Sequence, residues 1–158
     1  MAENPSQFRA RRENILLRQL IRITRHMTVE TVTRMQARGI EGMMPAYPRL
    51  LGNLDTEGTR IGALARKMGT TRQATAQLAK EIADAGFVER VRDSEDGRGV
   101  IVKFTPKGRD ALACAMEVMA QVEAEYEAII GAESLHQLKE ALGAVLAIVD
   151  ETGQFGLD

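Results

Sequence analysis

The stretch that decides the fold runs from Ile61 to Gly108, IGALARKMGTTRQATAQLAKEIADAGFVERVRDSEDGRGVIVKFTPKG. Its first half repeats inward-facing residues at helical spacing: Ile61, Leu64, Ala65 and Met68, then Thr75, Leu78 and Ile82. Gly69 separates the two sets, so two short helices are expected to meet across a tight turn. Thr59 is placed to cap the first helix and Thr71 the second, which is predicted to reach about Ala85. After Gly86 the period becomes two: residues 87–92 and 100–104 read as β-segments around the polar loop 93–99. Thr105-Pro106 then opens another helix, because Pro at the first helical position lacks only an N–H that the helix does not use. Helix, turn, helix and hairpin in that order predict a winged helix-turn-helix.

Working outward, residues 6–38 contain neither Gly nor Pro and read as one long helix. Its apolar set, from Ile15 to Met27, is too wide for a helix that covers one small core, which points to a partner subunit. A shorter helix opened by Pro45 follows, with Pro48 in its first turn. Beyond the hairpin, Leu112, Met116, Met119, Tyr126 and Ile130 continue at helical spacing to Gly131. Ser134 and Gln137 suggest a capping box for a last helix, in which Leu135, Leu138, Leu142, Val145 and Val149 form a coiled-coil-like seam. The expected fold class is mainly α with a small β-hairpin wing (α+β). It divides into a dimerisation helix and linker (1–44), a winged helix-turn-helix (45–108) and C-terminal dimerisation helices (109–158).

The chain has a net charge of -1, yet the charge is unevenly spread. Residues 60–109 hold 11 basic against 6 acidic side chains, whereas residues 110–158 hold 1 against 10. A polyanion responds to charge within about a Debye length, so a locally basic unit on a neutral chain suits phosphate binding. With a single cysteine, Cys114, no internal disulfide can form, and packing is its expected role. His26 and His136 lack neighbouring ligands in sequence, so neither a metal nor a cofactor is expected. No secretory h-region and no run of membrane-spanning length appears, so the cytoplasm is the expected compartment and no membrane partner is foreseen. No nucleophile with its base, no phosphate-cradling glycine loop and no paired carboxylates argue for an enzyme.

Function is therefore sought on the second helix of the pair, which can enter a major groove. Arg72, Gln73, Ala76 and Gln77 lie on its outward face toward the amino end; Arg suits guanine and Gln suits adenine. Lys80 and the hydroxyls of Thr70 and Thr71 are expected to fix register on phosphates. A winged helix can also present these faces to another protein, so an interaction module without specific DNA binding stays open as the alternative.

The chain resembles the MarR-type winged-helix regulators over nearly its whole length. Leu64-Ala65, Gly69, Leu78, Gly86 and Val88 fall where that family has them, Asp96-Gly97-Arg98 is similar to its D-x-R wing element, and Phe104-Thr105-Pro106-Lys107-Gly108 is similar to its L-T-x-x-G junction. The resemblance implies a homodimer with interlocked end helices on double-stranded DNA, acting as a transcription repressor on a pseudo-palindromic operator. It places Arg98 in the minor groove; Asp96 is expected to brace Arg98 or a neighbouring cation in the wing, since a lone carboxylate facing phosphates would repel them. It also implies a small-molecule effector near the junction of the first two helices, for which His26, Met43, Met44 and Tyr47, with Met27 and Met35 beside them, are the candidate lining. Departures are Gly97 and Gln77, where the family often has basic residues, and Thr75, where it has a buried aliphatic.

Overall fold

The structure, a computed structural model, describes residues 4, 9, 11–93 and 99–152, with side chains described as far as residue 149. Its elements follow in the order α1 (Leu16–Ala37), α2 (Tyr47–Leu51), β1 (Thr59–Arg60), α3 (Ile61–Lys67), α4 (Arg72–Asp84), β2 (Val88–Arg92), β3 (Val100–Phe104), α5 (Pro106–Ile130) and α6 (Ala132–Thr152). The fold is mainly helical with one small antiparallel sheet in the strand order β1-β3-β2, a winged helix-turn-helix carried between long end helices.

Four local expectations give way to tertiary context. The first helix is interrupted: residues 11–13 are helical, Asn14 and Ile15 leave the helix, and α1 starts at Leu16. Asn competes for backbone hydrogen bonds outside helices, and Arg18 and Arg22 clamp the Glu13 carboxylate across the break at 2.7 and 2.8 Å. The second helix opens at Tyr47, two residues after Pro45, with Pro48 inside its first turn. Thr59 does not cap α3. It lies buried in β1 opposite Val102, and its hydroxyl donates to Asp55 Oδ2 at 2.9 Å. A two-residue strand leaves no periodicity to read; only its distant partner β3 creates it. Finally, α6 begins at Ala132, directly after Gly131 with its φ of +85°, so Ser134 lies inside the helix; Gln137 donates to Glu133.

One buried apolar cluster runs through the molecule, from Val32 and Met35 of α1 through Met43 and Leu50, Leu64, Ile82, Phe87 and Val102, to Val118 and Val122 of α5. A second strap, of ion pairs, ties α1 to α5. Arg34 is bidentate to Glu125 at 2.7 and 2.9 Å and also reaches Glu30, while Arg38 reaches Gln121 and Glu117. These contacts hold the Arg34 guanidinium more firmly protonated than usual and the Glu125 carboxyl below its ordinary range.

The junction from wing to α5 explains its own sequence. Thr105 Oγ1 accepts from Gly108 N as the cap of α5 and donates to Gly86 O at 2.6 Å, while Thr105 N donates to Phe87 O. Lys107 Nζ donates to Ala85 O and lies 4.3 Å from the centre of the Phe87 ring. A Cβ at position 108 would stand 1.9 Å from Phe87 O, so only glycine lets α5 start this close to the end of α4 and β2.

Candidate nucleic-acid interface

The helix pair forms because Gly69, at φ +58°, turns the chain in the left-handed region between α3 and α4. Arg49 braces the turn by donating to Met68 O, the carboxyl end of α3. Thr71 caps α4, accepting from Ala74 N at 3.1 Å. Thr75 is buried, and its hydroxyl donates to Thr71 O one turn back at 3.1 Å and lies 2.8 Å from Thr70 Oγ1. This polar stitch takes the place of an aliphatic contact and fixes the first turn of α4 to the turn before it. Ala79 and Ile82 complete the buried side of the helix.

The opposite side is solvent-facing. Arg72, Gln73, Gln77 and Lys80 are exposed and Ala76 is half-buried. Arg72 and Gln73 stand at the amino end, beside the free N–H groups of the first turn. Gln77 Nε2 donates to Glu81 at 3.0 Å and Lys80 lies 3.8 Å from Asp84, both surface links of the kind that surrender readily to a new partner. The hydroxyls of Thr70 and Thr71, read from sequence as phosphate ligands, each already serve the fold; the capping Thr71 oxygen accepts from Ala74 and keeps its own proton to donate.

The wing stem is a regular ladder, with Val88 opposite Phe104, Arg90 opposite Val102 and Arg92 opposite Val100. Arg90 and Arg92 are exposed at alternate positions of the edge strand β2 and so share a face. The basic residues two apart in GFVERVR were the available signal for them, outweighed by the tip motif. Asp96, Gly97 and Arg98 lie outside the described residues. Among those described, the stem is braced by Asp93, 2% exposed, whose carboxylate meets Arg60 Nε of β1 at 2.5 Å and whose N–H donates to Gly99 O. Sequence reading passed over this brace because Arg60 sits 33 residues away.

The candidate effector residues do not gather in one place. Met35 and Met43 are buried and line a cavity of about 140 Å3 between α1, α2 and α5; His26, Met27, Met44 and Tyr47 are not in its lining. His26 is exposed with Nδ1 2.7 Å from Tyr126 Oη, Met44 is exposed, and Tyr47 stands edge-on to Phe87 at 6.3 Å between ring centres. Burial raises the Tyr126 phenol, helped by the negative charges of Glu30 and Glu125. Cys114 is half-buried and packs against the core cluster. Among the described residues, no three His, Cys, Asp or Glu side chains are grouped to hold a metal ion, and no helix is long and apolar enough to cross a membrane.

Fold and surface thus define a winged helix-turn-helix with an exposed, partly basic second helix. The model of the MarR family matches residues 41–99. An uncharacterised HTH-type transcriptional regulator of Mycobacterium bovis is 30% identical over 103 residues, which cover 65% of this chain and 72% of that one. A MarR family protein from Bacillus stearothermophilus shares the fold with a TM-score of 0.69 at 19% identity, over 94% of this chain and 99% of that chain. The PcaV transcriptional regulator from Streptomyces coelicolor, solved in complex with its natural ligand, does so with a TM-score of 0.62 at 19% identity, over 84% and 89% respectively. The chain belongs to the MarR family of transcriptional regulators, a family of regulators and not of enzymes.

Proposed function

We propose that the chain is a sequence-specific double-stranded DNA-binding repressor that acts as a homodimer on a pseudo-palindromic operator. The observation that carries this reading is the capped amino end of α4, held rigidly by the Thr70–Thr71–Thr75 stitch with Arg72 and Gln73 exposed beside it. In this reading Arg72, Gln73 and Gln77, with the half-buried Ala76, meet base edges in the major groove. Lys80 and the Thr71 hydroxyl position the backbone, joined by Arg90 and Arg92 on the wing stem. Arg98 reaches the minor groove from the tip, and Asp96 braces it there. Segment 45–108 is the DNA-binding unit, and 1–44 and 109–158 dimerise.

Support for the dimer comes from the end helices. Ile15, Leu16, Leu17, Ile21 and Ile23 of the amino end and Leu138, Val145, Leu146 and Ile148 of α6 are exposed in the single chain. Between residues 132 and 149 only Leu135 is buried. A helix with so little burial is not stable alone, and a second copy supplies the missing apolar surface. Two recognition helices then address successive major grooves, about one helical turn apart. Operator occupancy occludes the promoter, and a small effector seated between the end helices and the DNA-binding unit relieves it by favouring one spacing of the two lobes.

Selection of bound fragments from the organism's own genomic DNA, followed by salt titration on the recovered site, tests the reading. Affinity is expected to fall steeply with log salt, and Arg98→Ala to weaken binding and flatten that slope by about one. A dimer that retains no DNA at low salt overturns the proposal in favour of a protein-interaction module.

A further inference from the structure

A cleft of about 310 Å3 separates α2 from α4, with Pro45, Ala46 and Arg49 on one side and Thr70, Ala74 and Leu78 on the other. Among its lining residues Arg49 alone is charged. The wall is otherwise apolar except for the hydroxyls of Thr70 and Thr75, and both are committed. Thr75 donates to Thr71 O, so the bond between Thr70 and Thr75 takes its proton from Thr70, and neither hydroxyl keeps a proton for a ligand. An anion in the cleft is therefore left to Arg49.

Arg49 is exposed, and one of its nitrogens, Nη2, donates to Met68 O at the end of α3. A neutral carbonyl orients the guanidinium without neutralising it. Among the described residues no carboxylate pairs with Arg49, whereas Lys67 is matched by Asp55, Lys80 by Asp84 and Arg60 by Asp93. A planar guanidinium with donors to spare suits the oxygens of a phosphodiester. Pro45, Ala46 and Ala74 beside it are small and apolar, which leaves room for the sugar carbons that join one phosphate to the next. Ala74 is exposed and follows directly on Arg72 and Gln73, so the cleft adjoins the candidate readers.

We infer that Arg49 binds a phosphate of the DNA backbone at this cleft, on the side of α4 that faces α2. The helix packs against β2 of the wing stem as well, so Arg49 adds a backbone contact from an element outside both α4 and the wing. This deepens the DNA reading above and rests on it. Through Met68 O the same side chain is tied to the turn before α4, which couples the backbone contact to the placement of the helix.

The test uses the full-length dimer and the operator recovered by genomic selection, synthesised with one methylphosphonate at a time along each strand to remove a single backbone charge. At one position in each half-site the neutral linkage is expected to weaken wild-type binding about 3- to 10-fold. It is expected to cost Arg49→Gln nothing further, because the matching charge is already gone. Arg49→Gln, or Arg49→Met should the first not fold, is also expected to flatten the salt slope by about one per protomer. Arg49→Lys is expected to recover both the slope and the sensitivity of that linkage. A side chain that only braced the turn would lower affinity when replaced, while every methylphosphonate cost the variant what it costs the wild type; that result overturns the inference. Wild type that binds the operator but is equalled by Arg49→Gln in affinity and slope overturns this contact alone. Wild type that retains no DNA at low salt overturns the DNA reading, and this contact with it.

Discussion

Gly108 shows how a single position can tie the wing to the long helix behind it. Its α-carbon faces the Phe87 carbonyl so closely that a methyl group at 1.9 Å from that oxygen has nowhere to go. Gly108→Ala is expected to cost about 1–3 kcal/mol of stability, read from the urea midpoint, because neither backbone segment can yield without breaking the Thr105 cap. Asp93 plays a comparable part at the wing stem. Removing its carboxylate strips β1 of its Arg60 link to the hairpin. Asp93→Ala is expected to lose about 1–2 kcal/mol, the range for a hydrogen bond to a charged group on a half-exposed partner, and to lower DNA affinity if the stem aims the tip. Unchanged urea midpoint and unchanged affinity would remove Asp93 from any role.

At the scale of the element, the proposed recognition divides between α4 and the wing. Gln73→Ala and Arg72→Ala are expected to change which operator is preferred, by about 1–3 kcal/mol of discrimination at one base pair each. Lys80→Ala is expected to lower all affinities alike. Competition binding against a panel of single-base operator variants measures both, and uniform losses for all three substitutions would defeat the assignment of readers. The loop before β1 carries a pH-sensitive link. Lys67, and after it Thr59, hold the Asp55 carboxyl below its ordinary value of 3.8. A carboxyl depressed in the folded state contributes stability above its unfolded value and loses it as pH falls through the folded one. Asp55→Asn is therefore expected to narrow the stability difference between pH 6 and pH 3, measured by urea unfolding at each pH.

At the scale of the whole molecule, the apolar side chains that α1 and α6 expose are the basis of the proposed dimer. Sedimentation is expected to return about twice the chain mass of 17.4 kDa. Charged substitutions at Leu138 and Leu146, both exposed in the single chain, are expected to give monomers that lose operator binding together with dimerisation. Monomers that keep full operator affinity would separate the two properties. One continuous buried cluster runs from α1 through the helix-turn-helix to α5.

The sequence by itself determined whatever depends on near neighbours. Gly69 and Gly86 set the turns, Thr71 and Thr105 the caps, and the change from helical period to alternation after Gly86 the wing. Each of these is settled by backbone sterics and hydrogen bonds within a few residues. The outward set on α4 followed from the same periodicity. Long-range pairing was left to the tertiary structure: β1 exists only because β3 lies beside it, and Asp93 finds Arg60 only when the hairpin folds back. The cavity, too, is assembled from α1, the α2 region and α5, which place Thr31, Gly52 and Ala115 around one space. Of the effector candidates chosen for their place near the helix junction, Met35 and Met43 line it and His26, Met27, Met44 and Tyr47 do not, because proximity along the chain does not say which way a side chain faces once three helices have packed.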